Sequence, residues 1–238
     1  MLKGKFSTVS SSSAPEFIVK SRLKRRKHMA TIIEDNAVVL FQGDSITDAG
    51  RNREDGGDLS VTGFVSMTAA LFNSMYPGKK VKFLNRGISG NKVCDLRARW
   101  KEDCTDLKPG WVSVMVGVND CWRRYSENRY TAPEKFEEDY RYILTEVKQK
   151  CSSNIILCEP FLLLVDKEKE LWRENLDPKI HVVRKLAREF NTIYVPFDGL
   201  LAQACAQREP AFWAPDGIHP AAPGHALMAR AWLQAISI

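Results

Sequence analysis

A three-layer α/β/α sandwich around a five-stranded parallel sheet is the fold that this 238-residue sequence predicts. Three observations carry the prediction. Short, nearly continuous apolar runs recur along the chain, as in strands buried on both faces. Amphipathic stretches of helical period separate them, which is the β-α alternation of a parallel sheet covered by helices. Small and polar residues gather just after four of these runs, where an open parallel sheet binds its ligands.

The strands are expected at residues 37–41, 81–84, 112–116, 154–158 and 192–195. Helices are expected at 61–76, 92–107, 133–150, 178–190 and 223–235, with Pro133 and Pro178 placed to open two of them at the first helical position. There is no internal repeat and no second linker, so residues 29–238 read as one domain. Residues 1–28 read as an appended leader before a natural start at Met29, Ser-rich and then basic, with some likeness to an organelle transit peptide. They lack the apolar stretch of a secretory signal, and a cytoplasmic location is expected.

That leader holds eight Lys/Arg against Glu16 alone, a surplus larger than the +6 of the whole chain, so the body is slightly acidic. The body therefore offers no electrostatic case for a nucleic-acid partner. The longest apolar run, residues 112–118 with small Ser113 and Gly117 inside it, is far short of the roughly 20 residues of a membrane span. Six cysteines at irregular spacing, with no Cys-x-x-Cys, read as reduced thiols, with Cys121 and Cys158 as core residues.

The polar clusters carry the chemistry. They are Gly43-Asp44-Ser45, Asn85-Arg86-Gly87-Ile88-Ser89-Gly90-Asn91, Gly117-Val118-Asn119-Asp120, Glu159-Pro160-Phe161 and, before the last helix, Asp216-Gly217-Ile218-His219-Pro220. Acyl transfer to water needs a nucleophile, a base, a group that orients the base, and donors for the developing oxyanion. Ser45, in a glycine-flanked turn after a buried strand, is the candidate nucleophile. His219 is the candidate base, because imidazole both accepts and returns a proton near pH 7. Asp216, three residues earlier, can orient it from the same loop. Gly87 offers an approachable backbone N–H and Asn119 a side-chain amide. Taken singly, each is equally well an ordinary turn residue.

Together and in this order, Gly43-Asp44-Ser45, Gly87, Asn119 and Asp216-x-x-His219 resemble the SGNH hydrolases, the GDSL esterase/lipase family, from about residue 37 to the end of the chain. The resemblance implies Ser45, Asp216 and His219 as a catalytic triad. It implies an oxyanion hole made by the N–H groups of Ser45 and Gly87 with the Asn119 amide. It also implies a flavodoxin-like strand order and neither metal nor organic cofactor. The family spans lipases, thioesterases, arylesterases and polysaccharide deacetylases. Trp122, Trp172 and Trp213 fall on expected rim loops, and with Asp44 they are candidate substrate contacts. The stretches around Trp122 and Trp213 resemble those of acetylxylan and rhamnogalacturonan acetylesterases. The expected substrate is thus a small-molecule or carbohydrate ester with a short acyl group. A lipase or thioesterase of the same family is the nearest alternative, and homo-oligomeric assembly is compatible with either.

Rivals from other classes fit less well. A two-metal phosphoesterase needs more histidines than the three in the body. Neither a phosphate-binding loop nor a Gly-x-Ser-x-Gly elbow is present. A flavodoxin-like module without catalysis would have no need of the full Ser, Gly, Asn, Asp and His set.

Overall fold

The computed structural model describes residue 1, residues 30–51, residue 59 and residues 62–238. Apart from Met1, the expected leader lies outside the described residues, as does the first residue of the helix expected at 61–76. Five parallel strands form one sheet: β1 (Val38–Gly43), β2 (Lys82–Asn85), β3 (Trp111–Met115), β4 (Asn154–Cys158) and β5 (Ile193–Val195). Their order is β2-β1-β3-β4-β5, as expected from the resemblance. Val39 pairs with Phe83 on one side and Trp111 on the other, so the chain turns outward in both directions from β1. The crevice between β1 and β3 is the topological switch point of such a sheet.

Side chains alternate cleanly across the sheet. Val39, Phe41, Met115, Ile156 and Cys158 enter the core on one face, under α2 (Phe64–Met75), α7 (Phe197–Cys205) and α9 (Ala222–Ala235). Leu40, Val112, Val114, Ile155 and Leu157 enter the other, under α3 (Val93–Asp103), α5 (Pro133–Cys151) and α6 (Lys167–Glu189). α1 (Ser45–Asp48), α4 (Val118–Glu127) and α8 (Pro210–Trp213) complete the α-helices described, and a 3-10 turn at Thr105–Leu107 follows α3. None of the described helices is long and apolar enough to cross a membrane.

Two departures from the sequence expectations have physical reasons. The helix expected at 178–190 begins at Lys167, with Asp166 accepting the Lys169 N–H at 2.8 Å as its N-cap. Pro178 therefore lies inside α6, where it removes one helical hydrogen bond at a cost of about 3 kcal/mol. Buried Trp172 and Leu176 before it, and Ile180, Val183 and Leu186 after it, offset that cost by packing on the core. The segment after Gly117 is helix α4 and not a loop, and α7 and α8 were not expected.

Trp232 ties α9 to the sheet. It is fully buried, its ring centroid lies 5.1 Å from that of Phe41, and its Nε1–H donates to Ser113 Oγ of β3 at 3.0 Å. Trp232→Ala should destabilise the fold by about 3–5 kcal/mol, read as a lower urea midpoint at unchanged slope.

Candidate active site

The site is assembled where β1 ends. Gly43 closes the strand against both α1 and β3. A Cβ there would lie 2.2 Å from Thr47 Oγ1 and 2.4 Å from the Met115 carbonyl oxygen, so no larger residue fits without displacing backbone. Asp44 caps α1 by accepting the Ile46 N–H at 3.1 Å. Burial pushes the Asp44 carboxyl up to about 7. Asp44 is therefore a buried cap of this turn, which corrects its expected role as a substrate contact. Half-buried Ser45 follows, at the first helical position.

Ser45 Oγ lies 2.9 Å from His219 Nε2, across 174 positions of chain. His219 Nδ1 lies 2.7 Å from Asp216 Oδ2. The carboxylate fixes the tautomer, because it can only accept: Nδ1 carries the proton, and Nε2 is left to accept from the hydroxyl. Asp216 Oδ1 also accepts the N–H groups of His219 at 2.7 Å and Ile218 at 2.9 Å. Partial burial pushes the Asp216 carboxyl up, but the bonds from the His219 imidazole and these two N–H groups outweigh it and hold the group well below the usual carboxylate range. The hydrogen bond to Asp216 likewise raises the His219 pKa, against the opposing effect of burial. His225, by contrast, accepts the Phe64 N–H at Nδ1, and burial lowers its pKa to about 4.

Gly217 makes the loop possible. Its φ is +80°, and a Cβ would lie 2.5 Å from the Leu163 carbonyl oxygen. The Leu163 N–H returns a bond to the Gly217 carbonyl at 2.9 Å, docking the 216–219 turn on the segment after β4. That segment is itself anchored. Fully buried Glu159 accepts from Arg184 Nε at 2.7 Å, from the Asp198 N–H at 3.1 Å and from the Tyr194 hydroxyl. Asp198 in turn takes a two-pronged bond from Arg173 and accepts the Leu162 N–H. Glu159 thus serves the rim as an interior brace.

Asn119 stands at the start of α4, and its Nδ2 donates to the Asn91 carbonyl at 3.0 Å, leaving a second amide hydrogen. Gly87 does not serve as expected. It is buried, its N–H donates to Asn85 Oδ1 at 2.9 Å, and a Cβ there would lie 2.4 Å from Asp48 N. Its role is to let α1 pack closely on the turn after β2. The other glycine of the same motif, Gly90, was missed. It is half-exposed with φ +81°, its N–H has no acceptor among the described residues, and it immediately precedes the Asn91 that holds Asn119. The motif contains two glycines, and only the hydrogen bonds tell them apart.

The tryptophans separate too. Trp122, on α4 and partly exposed, meets the His219 ring edge-on at a centroid distance of 6.3 Å. Trp172 lies in α6, only 3% exposed, stacked on Tyr125 at 5.1 Å and behind Trp122 at 6.3 Å. It is therefore a buried support, which corrects its expected place on a substrate-contacting loop. Trp213 ends α8 and lines a groove of about 350 Å³ between α7, α8 and α9, while its carbonyl accepts the Ala221 N–H. It shapes the chain beyond the 216–219 turn from outside the Ser45–His219 contact. Among the described residues no three His, Cys, Asp or Glu side chains gather in a way that could hold a metal ion.

A flavodoxin-like sheet with a hydroxyl, an imidazole and a carboxylate chained across its carboxyl edge is the architecture of SGNH-type ester hydrolases. Residues 41–227 match the GDSL-like Lipase/Acylhydrolase family, and the chain belongs to it. It is 37% identical to an acetylxylan esterase of Geobacillus stearothermophilus over 206 residues, which is 83% of this chain and 93% of that one. The crystal structure of Axe2, an acetylxylan esterase from the same organism, superposes with a TM-score of 0.79 at 36% identity, covering 86% of this chain and 95% of Axe2. A Parabacteroides merdae protein assigned as a GDSL-like lipase gives 0.81 at 38% identity over 86% and 97% of the two chains. LAE5, an α/β hydrolase from the metagenome of Lake Arreo, gives 0.80 at 30% identity over 87% and 98%. The chain is a carboxylic ester hydrolase.

The two histidines should titrate apart. Side-chain NMR should show His219 protonating above the ordinary imidazole range and His225 well below it, at about 4. In Asp216→Asn the carboxylate that holds the imidazolium is gone, so the His219 value should fall.

Proposed function

We propose that this chain is a serine esterase that removes short acyl groups, acetyl above all, from carbohydrate esters through an acyl-enzyme. The observation that carries the reading is the unbroken contact from Ser45 Oγ to His219 Nε2 at 2.9 Å and from His219 Nδ1 to Asp216 at 2.7 Å. His219 Nε2 takes the Ser45 proton as Oγ attacks the ester carbonyl carbon. The oxyanion accepts from the N–H groups of Ser45 and Gly90 and from the second Asn119 amide hydrogen. His219 then passes its proton to the departing alkoxide. In the second half it takes a proton from water, the resulting hydroxide attacks the acyl carbon, and the acid leaves as Oγ recovers its proton. Asp216 stays ionised throughout, consistent with its depressed pKa.

The acetyl and carbohydrate parts rest on the likeness to an acetylxylan esterase across most of both chains. Partly exposed Trp122 of α4, against His219, and Arg123 one residue on, beside Gly90, suit a polar, ring-shaped alcohol better than a long alkyl chain.

Ser45→Ala should lower turnover by roughly 10⁴- to 10⁶-fold with folding intact, and a serine-directed phosphonate should label the wild-type chain at Ser45 alone. Asn119→Ala should cost on the order of 10²- to 10³-fold in kcat. Across p-nitrophenyl esters from acetyl to dodecanoyl, kcat/KM should be highest for acetyl. The reaction needs neutral His219, so kcat/KM should fall as pH drops through its raised pKa, and that acid limb should move to lower pH in Asp216→Asn. A wild-type rate in Ser45→Ala would overturn the reading.

A further inference from the structure

Helix α4 carries three of the site's side chains on one face. Asn119, Trp122 and Arg123 stand at positions i, i+3 and i+4, which point the same way from a helix. They reach different ends of the site. Arg123 passes over the oxyanion end, its guanidinium 3.3 Å from where a Cβ of Gly90 would lie, and it pairs with Glu127 one turn on. Trp122 reaches the opposite end, its ring against the His219 imidazole.

The imidazole fixes what lies there. To protonate the departing alkoxide, Nε2 must stand within hydrogen-bond reach of the alcohol oxygen, so the rest of the alcohol begins beside His219. The neighbour of that ring is Trp122. It is held rigidly: Trp172 backs it at 6.3 Å, Tyr125 stacks on Trp172 at an angle of 10°, and Lys169 Nζ sits 4.2 Å over the Trp172 ring. The Tyr125 hydroxyl donates to the Leu171 carbonyl, joining α4 to α6. A partly exposed indole supported by an aromatic stack on buried Trp172 is a preformed surface, and it loses little freedom on binding.

We infer that Trp122 is the specificity-determining platform for the alcohol part of the ester, taking the flat apolar face of an acetylated pyranose ring. The acyl group makes no contact with it. This rests on the esterase reading above.

The test uses the full chain with two acetyl esters, ethyl acetate, whose alcohol is too small to cover an indole, and an acetylated methyl pyranoside. Trp122→Ala should lower the ratio of kcat/KM, pyranoside over ethyl acetate, roughly 3- to 10-fold, and Trp122→Phe should restore most of it. The preference for acetyl over butyryl on the same pyranoside should not move. If Trp122 merely props His219, both esters suffer equally and the ratio stays put, which overturns the inference. A shift in acyl preference with an unchanged pyranoside ratio overturns it as well. Should the wild type cleave neither ester, the esterase reading itself fails, and this inference falls with it.

Discussion

A hydroxyl near one end of the described chain and an imidazole near the other must meet within hydrogen-bond distance, and most of the special residues exist to enforce that meeting. Parallel strands make it feasible, since each sends its following turn to the same edge of the sheet. β1 lies inside the sheet, between β2 and β3, so the Ser45 turn is bounded by the turns after both neighbours. Gly43 removes the one side chain that would hold α1 away from β3. From the other side, Trp232 fastens α9 to Phe41 and Ser113, and α9 follows directly on the 216–219 turn. Positional accuracy at Ser45 and His219 is thus inherited from β1 and its neighbours.

Buried charge is used here to fix position. Glu159 and Asp198 are interior carboxylates whose desolvation is unfavourable, and each is matched by an arginine and a backbone N–H. What they hold is the segment after β4, on which Gly217 rests. Asp120 acts similarly next to Asn119. Its Oδ2 accepts the Val93 N–H at 3.0 Å, so the start of α3 and the start of α4 are joined, and burial raises its pKa to about 7. Asn91, just before α3, and Asn119, within α4, are thereby held in register.

Much of this was legible in the sequence, for identifiable reasons. Strands buried on both faces announce themselves as apolar runs, and all five fall within a few residues of where the pattern puts them. Ser45, Asn119, Asp216 and His219 stand out because strand-end turns favour small and polar residues whose chemistry is specific. Gly87 and Gly90 were not separable, since glycine has no side-chain chemistry and its function depends on where its N–H points. Asp44 was misread because a capping carboxylate and a binding carboxylate are the same residue type. Trp172 was misplaced along with α6: Pro178 looked like a helix start, while the actual start is marked by Asp166 with Glu168 and Glu170 in the first turn. Packing against the core overrode the local preference of one proline.

One turn carries both Asp216 and His219, and a single carboxylate holds the ring nitrogen and the turn's own peptide groups. Imidazole and carboxylate therefore arrive already aligned. Aligning three independent parts would demand that two separations and their relative tilts be right at once. Here the fold has only to dock one finished piece onto another. A small change in sheet curvature or helix seating then alters a single gap, the one between Ser45 and His219, while the geometry inside the turn travels unchanged. Within the hydroxyl–imidazole–carboxylate relay, the fold therefore has one joint left to set.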